Sequence, residues 1–211
     1  DFGGGDIIDS YMTGNITIDA GTTASVTGGI LGRSNSAVII TGSYNTGNIN
    51  ITATGDVEWT AGFIAYDSSG PSEISKSYMS GNISVETAGF VSLVGGFVGS
   101  QSGLMTYTDT FFAGNIFATS TASYILNIGG IQSSDSGNET TFNSSYSAGS
   151  IVLDSADYVS NVGGLSGAIT LAGNGISDSF SATIFDITSV NPTSNTGALI
   201  GDNSAPATFT N

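Results

Sequence analysis

Over short stretches of this chain, apolar residues alternate with polar ones at a spacing of two, as at Ile16 and Ile18 or Ile49 and Ile51. That is the period of a β-strand with one buried face. No stretch sustains a 3.6-residue period, so helices are not expected. The alternating runs are punctuated by Gly, Asn and Ser, which are turn residues, and the whole arrangement recurs. The segment S-Y-M-T-G-N-I from Ser10 returns as S-Y-N-T-G-N-I from Ser43, S-Y-M-S-G-N-I from Ser77 and T-F-F-A-G-N-I from Thr110. Looser copies are S-Y-S-A-G-S-I from Ser145 and S-F-S-A-T-I-F from Ser179. A second anchor follows each: Gly28–Gly32, Ala61–Ala65, Gly95–Gly99, Gly129–Ser133, Gly163–Gly167 and Gly197–Gly201. Both anchors advance by 33 to 35 residues, and two motifs in fixed phase over six copies define a repeat architecture.

Aligned on the anchors, the apolar residues form columns. One holds Tyr11, Tyr44, Tyr78, Phe111, Tyr146 and Phe180; four residues earlier stand Ile7, Ile40, Ile74, Tyr107, Phe142 and Ile176. Five and seven residues after the aromatic come Ile16, Ile49, Ile83, Ile116, Ile151, Phe185 and Ile18, Ile51, Val85, Ala118, Leu153, Ile187. The glycine anchor adds Ile30, Phe63, Phe97, Ile131, Leu165 and Leu199. All five columns are expected inside. A repeat cannot bury its inward side chains alone, so its neighbours must do so by stacking like on like. The expected fold is all-β: a parallel β-solenoid, or β-helix, of six rungs of roughly 34 residues, with three short strands per rung. Two narrower coils per repeat are the main competitor. The chain reads as one domain over 1–211, with repeats at 6–38, 39–72, 73–105, 106–140, 141–174 and 175–211. Gly14, Gly47, Gly81, Gly114 and Gly149 are expected at a corner of positive φ. Asn15, Asn48, Asn82 and Asn115 follow them as a candidate amide ladder. Thr183 and Ile184 replace that pair in the sixth copy, where the corner should change shape.

Composition narrows the function. Charged residues make up only 9% of the 211 residues, hydrophobic residues 39%, and the formal charge is −15 with Arg33 and Lys76 as the only basic groups. A phosphate backbone is bound through Lys and Arg, so nucleic acid is disfavoured as a partner, and so is an anionic membrane surface. No apolar run is long enough to span a bilayer, so direct membrane insertion is not expected. Without Cys or His, disulfides, thiolate metal sites and Ser-His-Asp or Cys-His chemistry are ruled out.

The paired anchors S-Y-x-T-G-N-I and G-G-[IFL]-x-G resemble the GLUG repeat, in which a G-G-L-V-G-like segment alternates with S-Y-A-T-G-N-V. The resemblance covers nearly the whole chain, is closest in Ser77–Gly99 and weakest after Ser179. It implies large secreted or surface-anchored proteins, including adhesins and bacterial immunoglobulin-A peptidases, in which such repeats look like β-helical stalk. It carries over no catalytic residue, because the motif has none.

Among polar positions, Asp19, Thr52, Glu86, Thr119, Asp154 and Thr188 alternate acid and Thr eight residues after the aromatic. With rungs about 4.8 Å apart, successive acids stand roughly 10 Å apart. That suits a cation-binding row or an inverting carboxylate pair, whose separation runs to about 9.5 Å. A solvated edge that keeps like charges off adjacent strands is the simpler reading. Asp9, Asp109 and Asp178 share a column but not neighbouring rungs. No cofactor is expected; Asp154 with Asp157, or Asp56 with Glu58, could lend oxygens to a weak surface Ca2+, although a full site needs 6–8. Of five N-x-S/T sequons, at Asn15, Asn50, Asn82, Asn138 and Asn143, Asn15 and Asn82 belong to the turn column. Asn138 and Asn143 lie between anchors as candidate glycosylation sites.

No cap is evident at either end of the sequence, and the Phe209 position matches the Ile7 column. An array cut in phase and head-to-tail stacking of copies are both compatible with that pattern. The expected function is that of an extracellular, cell-surface structural or adhesive protein, not an enzyme. It would self-associate end to end into a filament and meet cell-surface or glycan partners. The alternative is a carbohydrate-active β-helix, either glycoside hydrolase or glycan-binding module.

Overall fold

The computed structural model describes residues 2–136, 138–170, 172–204 and 207–210. It is all-β, six turns of a parallel β-solenoid with rungs of about 34 residues. Strands pair with those one repeat away, Tyr44 with Tyr11 and Tyr78, Ile49 with Ile16 and Ile83. Each repeat is therefore one rung, and the two-coil competitor falls away.

A rung carries more strands than the three expected. The second rung runs Val38–Thr41, Tyr44–Asn45, Ile49–Ala53, Val57–Ala61 and Ile64–Asp67. These form four faces, because the second and third of them belong to one sheet. Face I holds the strand before the S-Y anchor, face II the two strands around G-N, face III the strand entering the glycine anchor and face IV the one leaving it. The reason is local. A left-handed residue precedes each S-Y anchor (Asp9, Gly42, Lys76, Asp109, Ser144, Asp178), and a second sits within each face III strand (Val26, Trp59, Leu93, Asn127, Asn161, Asn195). Such residues turn or bulge the chain within a single position.

Four of the five expected columns point inward. Ile40, Ile74, Tyr107 and Phe142 are fully buried, as are Ile49, Ile83, Phe63 and Phe97. The aromatic column does not. Tyr11 is 65% exposed and Phe180 55%, with the rings between them half-buried or exposed on the outside of face II. In a strand, successive side chains point to opposite faces, so the residue after the aromatic faces in: Asn45, Met79, Phe112 and Ser147 are all buried. These reach across the rung to the second glycine of the G-G anchor. A Cβ on Gly62 would meet Met79 Sδ at 1.8 Å and one on Gly96 would meet the Phe112 ring at 2.6 Å.

The G-N corner also differs from expectation. Of its glycines only Gly149 has positive φ. Gly47, Gly81 and Gly114 are required by stacking, since a Cβ on them would lie 1.9, 1.9 or 2.0 Å from the carbonyl oxygen of the glycine one rung below, while Gly14 in the first rung has open space there. The corner opens already in the fifth rung: the two face II strands fuse there into Tyr146–Ser155, and in the sixth into Phe180–Ser189.

Candidate functional site

The S-Y anchor builds the outer feature. Its serine turns inward: Ser43 and Ser77 are buried, and each hydroxyl accepts the N–H of the residue one rung below (Ser10 N to Ser43 Oγ and Ser43 N to Ser77 Oγ, both 3.1 Å). Each also donates to a carbonyl two residues back in its own rung, Ser43 to Thr41 and Ser77 to Ser75. This hydroxyl ladder fixes the corner and leaves the next side chain, the aromatic, in register outside. Tyr11, Tyr44 and Tyr78 stack with centroids 5.1 Å apart and planes within 7°. Phe111, Tyr146 and Phe180 stack at 4.1 and 4.9 Å.

Where the two stacks meet, between Tyr78 and Phe111, lies an open groove of about 370 Å3. Its walls are Tyr78, Phe111 and Tyr146, and its rim carries Lys76, Ser77, Asp109 and Ser144. Lys76, Asp109 and Ser144 are the left-handed corner residues of three successive rungs, which turns their side chains out beside the rings. The groove thus combines aromatic surface with a cation, a carboxylate and hydroxyls, groups that hold a polyol by hydrogen bonds along its rim and by ring contact along its face.

The asparagine column forms a ladder of a different kind from the one expected. Asn15, Asn48 and Asn82 Oδ1 each accept the backbone N–H of the asparagine one rung above, all at 2.9 Å, and Asn115 Oδ1 accepts from Ser150. An amide–amide bond occurs at one step, Asn115 Nδ2 to Asn82 Oδ1 at 3.0 Å. A true amide ladder stands in a column the sequence reading missed: Asn161 Nδ2 donates to Asn127, and Asn195 Nδ2 to Asn161, both at 2.8 Å. Its signal was present, three asparagines 34 residues apart. It was obscured because Val26, Trp59 and Leu93 occupy the same position in the first three rungs.

The remaining candidates stay apart. Asp19, Glu86 and Asp154 are exposed on face II and separated by the Thr residues of intervening rungs, so no two of them adjoin. Asp56 and Glu58 do adjoin, and Glu58 is pushed above the usual carboxylate range by partial burial and then by the Asp56 charge. Asp157 accepts from Asn191 Nδ2 at 2.7 Å. Among the described residues no cluster of three or more acids assembles into a metal cage. Asn138 is exposed and its amide donates to the Ser102 carbonyl, while Asn143 is half-buried and accepts from Ser177. Arg33 lies 5.2 Å over the Tyr66 ring, which Trp59 flanks on the same surface.

Inside the solenoid, face IV carries a polar column that the sequence reading did not single out. Asp67, Gln101 and Asp135 are register partners on three consecutive rungs and all are 0% exposed. Burial pushes the Asp67 carboxyl up to about 6, offset in part by the neighbouring Ser72 hydroxyl and Ser69 N–H, and Asp135 is raised for the same reason. Tyr107, fully buried beside them, is pushed well above its ordinary value by desolvation and then by the two carboxylates; its hydroxyl donates to Gln132 Oε1 at 2.9 Å. Compared with protein-family models, with curated proteins and with solved structures, the chain matches none of them.

Proposed function

We propose that this chain is a rigid structural or adhesive element of an extracellular surface, a solenoid whose function is its extended, chemically periodic exterior. The observation that supports this most is the outer aromatic column, which sets a Tyr or Phe ring on each of the six rungs in two stacks of three. Repetition at about 4.8 Å suits a surface read many times over better than a single catalytic centre. The acidic, hydroxyl-rich outside keeps such a rod soluble through its net charge, and its resemblance to GLUG repeats agrees with a stalk role.

Axial self-association of copies of this chain belongs to the same proposal. Ile7, Ile16, Ile18 and Leu31 at one end, and Phe185, Ile187, Leu199 and Ile200 at the other, are only half-buried and belong to the core columns. A second copy stacked on either end continues those columns, and contact of this head-to-tail kind propagates. Electron microscopy of the purified chain over a range of concentrations, with mass determination, tests this. Filaments with an axial repeat of about 29 Å, six rungs at about 4.8 Å, are the expected result. Monomers at every concentration reject axial assembly.

The groove between Tyr78 and Phe111 favours one second reading, a glycan-binding module. Glycan-array binding that is lost in Tyr78→Ala and Phe111→Ala is its expected signature. An array without signal rejects it.

A further inference from the structure

Four oxygens of the buried column on face IV reach no partner at hydrogen-bonding geometry: both carboxylate oxygens of Asp67, Gln101 Oε1 and Asp135 Oδ2. The Ser72 hydroxyl and Ser69 N–H beside Asp67, and the Asn174 amide beside Asp135, lower these carboxyls without outweighing their burial. All four are acceptors. Gln101 already uses its amide to donate to Thr140 Oγ1 at 2.7 Å, and Asp135 Oδ1 already takes the Thr170 N–H at 2.6 Å and the Thr170 hydroxyl at 2.8 Å. What remains is an acceptor-only row through three rungs in which Gln101 stands between the two acids. An ionised carboxylate in such a place is poorly solvated, and neither basic residue of the chain is there to offset that: Arg33 and Lys76 are both exposed.

A proton converts an acceptor into a donor. One on Asp67 and one on Asp135 Oδ2 would each supply a donor to the two lone pairs of Gln101 Oε1, leaving a single Asp67 oxygen unpaired. We propose that Asp67 and Asp135 are proton-binding sites that, when loaded, link three rungs through Gln101, so that the centre of the solenoid tightens in acid and loosens as the protons leave.

The groups facing this row are few. Tyr107, from face I, keeps its proton because burial and the two acids raise it. Ser72, Thr140 and Asn174 on face I and Gln132 on face IV are uncharged, Ser72 standing beside Asp67 and Asn174 beside Asp135. Glu139, next to Thr140, is exposed to solvent. The sign follows from linkage. A carboxyl raised from 3.8 to about 6 on folding binds its proton more tightly in the native state. Its stabilisation is complete below about pH 3.8 and is lost as pH rises through about 6.

The test is thermal unfolding of the full chain between pH 3.5 and 8 in chelating buffer, comparing wild type with Asp67→Asn/Asp135→Asn and, as a surface control, Asp154→Asn. Wild type is expected to lose about 4 °C or more of Tm between pH 4 and 7.5. The double variant, whose amides donate without titrating, should lose clearly less, and the control should follow wild type. An identical pH slope in wild type and the double variant overturns the proposal. So does a Tm raised by Ca2+ or Na+ at pH 7.5 in wild type alone, which assigns the row to a metal cation. A variant that does not fold leaves infrared spectroscopy of wild type to decide. A buried carboxylic-acid C=O band present at pH 5 and gone at pH 8 upholds it, and absence of the band at both refutes it.

Discussion

Two small residues of the repeated S-Y and G-N segments are held by unrelated forces. The glycine of the G-N corner is there because the next rung's backbone passes within contact distance, not because its φ demands it. Gly81→Ala therefore forces a methyl against the Gly47 carbonyl, 1.9 Å away, and the rungs must part to admit it. Backbone atoms cannot rotate aside as a side chain tip can, so the cost falls at about 3 kcal/mol, the upper part of the range for overpacking. Urea unfolding of the variant measures this, and an unchanged midpoint would falsify the stacking explanation. The serine beside the aromatic acts through hydrogen bonds instead. In Ser43, Ser77, Ser145 and Ser179 the hydroxyl accepts an N–H from the rung below and donates to a carbonyl of its own rung, whereas Thr110 in the fourth copy donates to Ser145 Oγ one rung up. A hydroxyl stands at this position in all six copies.

At the scale of the strand, face III shows strain and its remedy side by side. Val26, Trp59 and Leu93 adopt φ of 58°, 49° and 60°, where a branched or bulky side chain is disfavoured. The fourth to sixth rungs put asparagine there, the residue that best tolerates this region after glycine, and link it upward by amide bonds. Leu93→Asn extends that ladder downward to the third rung. It is expected to raise stability by about 1 kcal/mol, read as a higher denaturation midpoint; a lower one rejects the ladder as a source of stability. These strands also explain what could be read in advance. Rung length, register and four core columns followed from hydrophobic spacing, because like residues stack on like in a solenoid. The outward aromatics did not follow. A two-residue strand is too short for alternation to reveal which of Tyr78 and Met79 faces in. The buried Asp67, Gln101 and Asp135 were equally hidden, since composition alone places such residues outside.

At the scale of the molecule, charge and stacking pull against each other. A formal charge of −15 with two basic residues repels itself along a rod whose rungs lie only about 4.8 Å apart. Screening relieves that repulsion, with a Debye length near 30 Å at 0.01 M salt falling to about 3 Å at 1 M. Thermal stability should climb as NaCl is raised from 10 mM to 1 M at pH 7.5, and a flat or falling profile counts against a repulsive exterior. The same screening should favour axial contact between copies, so filament length and Tm should rise together with salt.

The chain has a single tryptophan. Trp59 sits in the second rung with its ring tilted 40° to Tyr66 at 5.6 Å, the ring that the Arg33 guanidinium overlies, whereas six of the eight tyrosines belong to other rungs. Its emission is thus a beacon at one known height on the rod. Excited at the red edge of the indole band, it reports the second rung alone; excited further to the blue, the tyrosines, all but Tyr44 and Tyr66 on other rungs, report the rest of the rod. In a quasi-one-dimensional stack that can fray from its ends, the two signals separating under denaturant would reveal from which end the spring uncoils.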